Sequence, residues 1–97
     1  MKVRYSPRAT ADTIAIADYL TDRNRAAAQA VESAIRRAVD LLSEFPGSGR
    51  ALTQRSNVRV MPVIRHPYLI FYTVHSNEVL ILHIRHGVRA PVNPEEL

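Results

Sequence analysis

The stretch from Ala27 to Phe45 carries the longest periodic pattern in the chain and restricts its fold the most. Apolar residues recur there at steps of one, three and four, which is the spacing of one face of an α-helix. The apolar positions are Ala27, Val31, Ala34, Ile35, Ala38, Leu41, Leu42 and Phe45. Pro46-Gly47 ends this helix. Because a single amphipathic helix is not stable alone, the rest of the chain must supply an apolar surface that covers the stripe.

A first helix is predicted from Pro7 to Asp22. Ser6 suits the N-cap, and Pro7 suits the first helical position, where the missing N–H costs nothing. The polar break that follows, residues 22–25, is short, so the two helices should form an antiparallel hairpin. Before them, Lys2 to Tyr5 alternates polar and apolar residues and is predicted to be a strand.

Strand patterns fill the second half of the chain, after a loop over Gly47–Asn57. They predict strands at Val58–Ile64, Tyr68–Val74 and Glu78–His86, with Ser76-Asn77 as a tight hairpin turn between the last two. The middle strand is apolar on both faces, which favours a position inside the sheet. The order β-α-α-β-β-β predicts an α+β fold, a mainly antiparallel sheet with the helical hairpin packed on one face.

Length and composition bound the chain's organisation. With 97 residues, of which 46% are hydrophobic, we expect one folded domain over residues 1–97, with residues 89–97 as a polar tail. The chain has no cysteine, which excludes disulfides and thiolate metal sites. Charge stands where a secretion signal would need an apolar segment, and the apolar runs are far shorter than the ~20 residues that span a bilayer. We therefore expect a cytoplasmic protein with no membrane partner.

Positive charge is concentrated in the second half of the sequence. Residues 1–48 carry seven basic and six acidic side chains, whereas residues 50–89 carry six arginines and one acid, Glu78. These arginines are Arg50, Arg55, Arg59, Arg65, Arg85 and Arg89. Such asymmetry indicates a surface that meets an anion, either nucleic acid or an acidic protein. The alternative is that the arginines are ordinary solvated charges.

Side-chain alternation divides the last predicted strand into two faces. One face, which should pack on the helices, carries Leu80, Leu82 and Ile84. The residues between them should point to the opposite face. The other set is Val79, Ile81, His83 and Arg85. Arg59, which shares a face with Met61 and Val63, would complete a basic groove on the helix-free side if it faces the same way as Arg85. The alternative is that both are charges at strand ends.

No motif in the chain predicts a metal or another cofactor. His83 and His86 are three residues apart on a strand, so their side chains should point to opposite faces and cannot share an ion without a bulge. The passage from Gly47 to Arg50 follows a helix and lacks the Gly-Lys-Ser/Thr ending of a phosphate-binding loop, so it is interpreted as a helix stop and linker. The sequence contains neither a nucleophile elbow nor a dinucleotide-binding fingerprint.

The same half of the chain permits metal-free RNA cleavage without indicating it. Cleavage needs a base, an acid and cations around the phosphorane. The arginines supply cations, but only histidines titrate near neutrality, so His83 or His86 would have to serve. This half has no lysine, and no tyrosine follows Tyr72. The acid–base set is therefore thin.

Five passages form an ordered set across nearly the whole chain. They are Val3-x-Tyr5-Ser6-Pro7-x-Ala9; Leu41-Leu42-x-x-Phe45-Pro46-x-x-Gly49-Arg50; Arg59-Val60; Tyr68-Leu69-Ile70-Phe71-Tyr72; and Val79-Leu80-Ile81-Leu82-x-Ile84-x-His86-Gly87-x-Arg89. Their order and spacing resemble the ParE/RelE superfamily of type II toxins, also called plasmid-stabilisation toxins. The resemblance implies the β-α-α-β-β-β fold and a cognate antitoxin that wraps the toxin.

Two branches of this superfamily differ in their target. RelE-like members are ribosome-dependent endoribonucleases that cut mRNA, often with a lysine pair and a C-terminal tyrosine. ParE-like members inhibit DNA gyrase, and their last strand typically ends in His-Gly-x-Arg. The ending His86-Gly87-Val88-Arg89 and the missing lysines resemble the ParE branch. The resemblance thus implies growth arrest through gyrase, with an mRNA endoribonuclease as the alternative and a non-toxic binding module or decayed toxin as a further one.

The residues expected to carry toxicity lie near the end of the last strand. Arg85, His86 and Arg89 are the leading candidates for target binding, with Arg59 and Arg65 supporting them. In the ribonuclease alternative, the catalytic set would be drawn from the same group. Its members would be Arg59, Arg65, Arg85 and His86.

Overall fold

Two helices cover one face of a five-stranded sheet whose strand order is β1-β5-β4-β3-β2. The computed structural model describes residues 1–55 and 57–87. β1 runs parallel to β5, and the remaining neighbours are antiparallel. The sequence-based prediction of an α+β fold with a helical hairpin on one face is confirmed. The elements are β1 (Lys2–Tyr5), α1 (Pro7–Arg23), α2 (Arg25–Glu44), β2 (Arg50–Ala51), β3 (Arg59–Pro62), β4 (Tyr68–His75) and β5 (Glu78–His86).

The helical hairpin is fixed by two capping residues. The Ser6 hydroxyl accepts a hydrogen bond from the Ala9 N–H at 3.0 Å, and Pro7 occupies the first turn of α1, as predicted. Asn24 then serves both helices. Its N–H donates to the Leu20 carbonyl at 2.7 Å, and its side-chain oxygen accepts from the Ala27 N–H at 3.1 Å. The predicted four-residue break is therefore a single residue, and α2 begins at Arg25.

The core lies between the helices and the sheet. β4 contributes Tyr68, Ile70 and Tyr72 to this core. On the other face of the sheet, its Phe71 packs in a second cluster with Val58 and Val60. The prediction that this strand is covered on both faces is therefore confirmed. Partly buried leucines join that second cluster; they are Leu52, Leu69 and Leu82. Within residues 1–55 and 57–87, neither helix combines the length and apolarity needed to cross a membrane.

The predicted division of β5 into two faces is wrong for most of its residues. Val79, Ile81 and Ile84 are buried in the helix-side core, whereas Leu82 packs in the cluster on the other face. The cause is a β-bulge: Tyr72 pairs with Ile81, but Phe71 pairs with His83, so one residue of β5 is passed over. Strict alternation therefore holds on each side of the bulge but not across it.

Arg59 does not face the helix-free side with Arg85, so that part of the predicted basic groove is wrong. Arg59 shares the face of Met61 and Val63, both of which pack with the helix-side core. Its guanidinium donates to the Gly49 carbonyl at 2.7 Å. Gly49 belongs to the passage from Gly47 to Asn57, which was predicted to be a loop. This passage contains the two-residue strand β2, which pairs with β3.

A buried tyrosine holds the same loop in place. The Tyr72 hydroxyl accepts from the Gly49 N–H and donates to the Pro46 carbonyl, both at 2.8 Å. A Cβ at Gly49 would lie 2.5 Å from this hydroxyl, so only glycine fits. Burial raises the pKa of Tyr72 above 10.0, although the Gly49 hydrogen bond and the nearby Arg59 charge act in the opposite direction. We call Pro46, Gly49, Arg59 and Tyr72 the loop anchor.

Candidate functional site at the end of the last strand

The last residues of β5, His83 to His86, project beyond its parallel neighbour, and we call them the strand end. β1 pairs only with residues 78–81 of β5. From there the start of α1 takes the place of a strand. The Ser6 N–H donates to the Ile81 carbonyl and the Ser6 hydroxyl to the Leu82 carbonyl, both at 2.9 Å. The backbone of β5 is therefore held where strand pairing stops.

Asp12, in the next turn of α1, contacts the following residues of β5. Its Oδ2 accepts from the Ile84 N–H at 3.0 Å and lies 2.6 Å from His83 Nδ1. His83 is only 6% exposed, and its Nε2 lies 3.5 Å from a guanidinium nitrogen of Arg8. His83 Nδ1 therefore faces a carboxylate, which accepts, and Nε2 faces a guanidinium, which donates.

Gly87 follows the strand end and keeps it close to β4. Its N–H donates to the Pro67 carbonyl at 2.8 Å. A Cβ at this position would lie 2.2 Å from Leu69 Cγ, so any larger residue would force the backbone away from β4. The His-Gly dipeptide noted in the sequence thus has a structural cause, since the glycine sets the position of His86 and of Arg85 before it.

A groove of about 340 Å³ lies on the helix-free face and receives Arg85. Its floor includes Leu69 and Phe71, and Arg50 lines it together with Arg85. The predicted basic groove is therefore present at this place, with Arg50 where the sequence suggested Arg59. We call it the sheet groove. Apolar side chains between two cations form a surface suited to an acidic protein segment or a phosphate group.

Arg85 also lines a second groove of about 640 Å³, which lies between α1 and the strand end. We call it the helix groove. Tyr68 and His86 meet there edge to face, with ring centroids 5.6 Å apart. Burial, and to a smaller extent the neighbouring Tyr19, raises the pKa of Tyr68 above 10.0, so its hydroxyl stays neutral. His86 itself is exposed.

The remaining candidates from the sequence are separated from this pair. Arg65 is exposed in the β3–β4 turn, close in sequence to Pro67, which holds Gly87. Arg59 belongs to the loop anchor. Arg89 lies outside the described residues. The structure therefore brings Arg85 and His86 together and places Arg65 near their end of the sheet.

Sequence reasoning missed Asp12, Arg8 and Arg50 as parts of this region. Asp12 and Arg8 are one helical turn apart on α1, but nothing in that spacing shows that they meet His83. Arg50 was identified only as one of several cations. What places it opposite Arg85 is the pairing of β2 with β3, which is too short to predict from a pattern.

Comparison with known proteins decides the family. Residues 3–91 match the family described as the ParE toxin of the type II toxin–antitoxin system, parDE. This chain belongs to the ParE toxin family. The ParE-family resemblance found in the sequence is confirmed, and membership implies a cognate antitoxin partner.

Two individual proteins similar to this ParE-family toxin extend the comparison. The protein named Toxin RelE2 of Caulobacter vibrioides is 38% identical over 88 residues, which cover 91% of this chain and 97% of that protein. A solved structure of the chromosomal ParDE TA system from P. aeruginosa contains a chain with a TM-score of 0.78 and 23% identity. That match covers 91% of this toxin and 97% of that chain, and it supports the fold.

Proposed function

We propose that this ParE-family toxin arrests growth by binding DNA gyrase and that a cognate antitoxin neutralises it. The observation that carries the proposal is the strand end. Gly87 allows its close approach to β4, Asp12 accepts a hydrogen bond from its backbone, and Arg85 lines two grooves. A cation beside apolar side chains is suited to recognising an acidic protein surface.

Within this proposal the candidate residues have different roles. Arg85, His86 and Arg89 contact the target, and Arg65 adds charge at the same end of the sheet. Arg59 acts indirectly, because its guanidinium holds the Gly49 carbonyl rather than pointing into either groove. Arg50, which lines the sheet groove opposite Arg85, is a further target-binding residue.

The test combines toxicity with a purified target. We expect the wild-type chain to arrest growth in a host without antitoxin and to inhibit supercoiling by purified gyrase. The double variant Arg85→Ala with Arg89→Ala should lose both effects while keeping its thermal unfolding transition. Arg4→Ala is the matched control, since Arg4 pairs with Glu78 at the other end of β5. A double variant that stays fully toxic would remove the assignment.

The ribonuclease alternative has two observations in its favour. One relative carries the name RelE2. In addition, His83 Nδ1 lies 2.6 Å from Asp12 Oδ2, and a carboxylate partner of this kind orients the histidine of many general bases. Primer extension on cellular mRNA after a pulse of expression separates the two functions. Codon-positioned cuts that disappear in His83→Ala would support the nuclease, whereas DNA-damage signalling with intact mRNA would support gyrase inhibition.

A further inference from the structure

A pocket of about 220 Å³ opens between the two helices and reaches Tyr5 at the end of β1. Its aliphatic lining comes from both helices and consists of Ile16, Ala17, Ala28, Val31 and Ile35. Ala28, Val31 and Ile35 are buried, so the floor of the pocket is continuous with the packed side of α2. The alanines, one on each helix, leave the space open because a methyl group is all that either projects. We call it the hairpin pocket.

The size of the hairpin pocket restricts what it can hold. An apolar cavity of about 150 Å³ is enough to bind benzene. Sites for drug-sized ligands occupy roughly 300–1,000 Å³. The hairpin pocket lies between these limits, so it suits a molecule of one or two rings rather than a nucleotide or a peptide.

The charged side chains of the hairpin pocket neutralise each other. They are Glu32 and Arg36, and the Arg36 guanidinium donates to a Glu32 carboxylate oxygen at 2.7 Å. Their side chains are 63% and 70% exposed, which places the pair at the solvent side of the pocket. A charged ligand would lose hydration on entering and would meet a like charge as well as an opposite one. The pocket therefore favours an uncharged molecule.

Tyr5 adds a hydrogen-bonding group that the protein does not use. Among residues 1–55 and 57–87, its hydroxyl makes no hydrogen bond. Burial, and then the Asp40 carboxylate, raise the pKa of Tyr5 above 10.0, although Arg36 acts in the opposite direction. The hydroxyl is therefore neutral and can donate or accept. Its ring is also suited to edge-to-face packing with a second aromatic ring.

We propose that the hairpin pocket binds an uncharged aromatic molecule of one or two rings that carries a hydroxyl or N–H group. The ring packs against Ala17 and Ala28, and the polar group forms a hydrogen bond with the Tyr5 hydroxyl. This inference goes beyond the proposed function and does not depend on it. The described residues proposed to contact the target lie outside the lining of the pocket; they are Arg50, Arg65, Arg85 and His86.

The experiment titrates the full chain with four probes that share one ring and one attached carbon. They are benzyl alcohol, toluene, benzoate and benzylammonium. Nuclear magnetic resonance spectra of the backbone amides report both the affinity and the place of binding. We expect saturable binding of benzyl alcohol, with the largest shifts at Thr13, Ala17 and Ala28, which line the pocket. Benzoate and benzylammonium should each bind at least fivefold more weakly than benzyl alcohol.

Variants of two alanines test whether the ligand occupies the pocket. Ala17→Leu places a larger side chain in the lining and should weaken benzyl alcohol at least fivefold. Ala11→Leu is the matched control, because Ala11 is also an exposed alanine of α1 and lies outside the pocket. It should leave the affinity unchanged. Circular dichroism establishes that both variants are folded.

Tyr5→Phe tests the hydrogen bond separately from the shape of the pocket. It should weaken benzyl alcohol by about two- to tenfold, the range of one neutral hydrogen bond. Toluene, which has no hydroxyl, should bind the variant and the wild-type chain equally well.

Four results would overturn the inference. They are no saturable binding of benzyl alcohol, equal affinity for the neutral and charged probes, equal effects of Ala11→Leu and Ala17→Leu, and equal effects of Tyr5→Phe on benzyl alcohol and toluene. Gyrase takes no part in these titrations, so failure of the proposed target and failure of the hairpin pocket are distinguished.

Discussion

The loop anchor and the strand end are built in the same way, and they differ in what they leave exposed. At the loop anchor, the Tyr72 hydroxyl pairs two backbone groups, Gly49 N–H and Pro46 carbonyl. At the strand end, a single oxygen of Asp12 receives the Ile84 N–H and His83 Nδ1. In both regions one buried or half-buried polar side chain satisfies backbone that strand pairing does not reach.

The arginines of the two regions have different fates. Arg59 has a structural role in the loop anchor, because its guanidinium donates a hydrogen bond to the Gly49 carbonyl. Arg85 comes after its anchor in the chain and lines two grooves. Arginines from one cationic half of a sequence thus divide into a structural residue and a candidate binding residue. Their neighbours in space, rather than their charge, make the difference.

The largest effect on stability is expected at the strand end. Asp12→Ala should lower the free energy of unfolding by about 3 kcal/mol, because it leaves the Ile84 N–H and His83 Nδ1 without a partner. Asp12→Asn, which keeps one acceptor oxygen, should lose less than half of that. Urea unfolding measures both. Asp18→Ala, an exposed carboxylate on the same helix, is the control, and an equal effect there would contradict the anchor.

The second-largest effect on stability is expected at the loop anchor. Tyr72→Phe removes the hydroxyl and leaves Gly49 N–H and the Pro46 carbonyl unpaired, so the free energy of unfolding should fall by about 2 kcal/mol. Tyr68→Phe is the matched control, because no hydrogen bond of the Tyr68 hydroxyl holds the loop. If the two phenylalanine variants unfold at the same urea concentration, the hydroxyl does not hold the loop.

The two arginines give the sharpest form of the comparison. Arg59→Ala should cost about 1–1.5 kcal/mol of stability through the lost hydrogen bond to Gly49. Arg85→Ala should change stability by less than about 0.5 kcal/mol, the usual range for surface positions, and should reduce gyrase inhibition at least tenfold. Urea unfolding and a supercoiling titration on both variants are needed. If Arg59→Ala reduced gyrase inhibition and Arg85→Ala reduced stability, the assignment of a structural role to Arg59 and a binding role to Arg85 would be contradicted.

The smallest effect is a dependence on alkaline pH. Burial raises the pKa of Tyr72 above 10.0, so the unfolded state loses this proton at a lower pH than the folded state. The contribution of the neutral hydroxyl is complete below pH 10 and is lost as pH rises through the folded pKa. Thermal unfolding followed from pH 9 to 11 should show a decline in wild type that is shallower in Tyr72→Phe. Parallel curves would mean that Tyr72 does not contribute.

Local signals predicted most of the fold, and contacts distant in sequence account for what they missed. Ser6-Pro7 placed the start of α1, and Ser76-Asn77 placed the turn before β5, where both residues have the positive φ of a tight hairpin. These features depend on a few adjacent residues. The strand β2, with two residues, is too short to leave a pattern.

The candidate site was predicted less completely for the same reason. The bulge in β5 is a shift in its register with β4, and His83 is buried against Asp12 of α1. Alternation along β5 alone placed Val79 and Ile81 on the wrong face, although it placed Arg85 on the helix-free side. No pattern within β5 shows where a partner side chain from α1 will insert.

The parallel pairing of β1 with β5 has a consequence for the synthesis of this toxin. Residues 2–5 pair with residues 78–81, so β1 cannot pair until β5, the last of the five described strands, has been made. Contacts between such distant parts of a chain form slowly and late in folding. The strand end is fixed to α1 by the same late closure, so a nascent or truncated chain lacks the arrangement of Arg85 and His86. The surface that carries Arg85 and His86 therefore forms only after the chain has been translated and has folded.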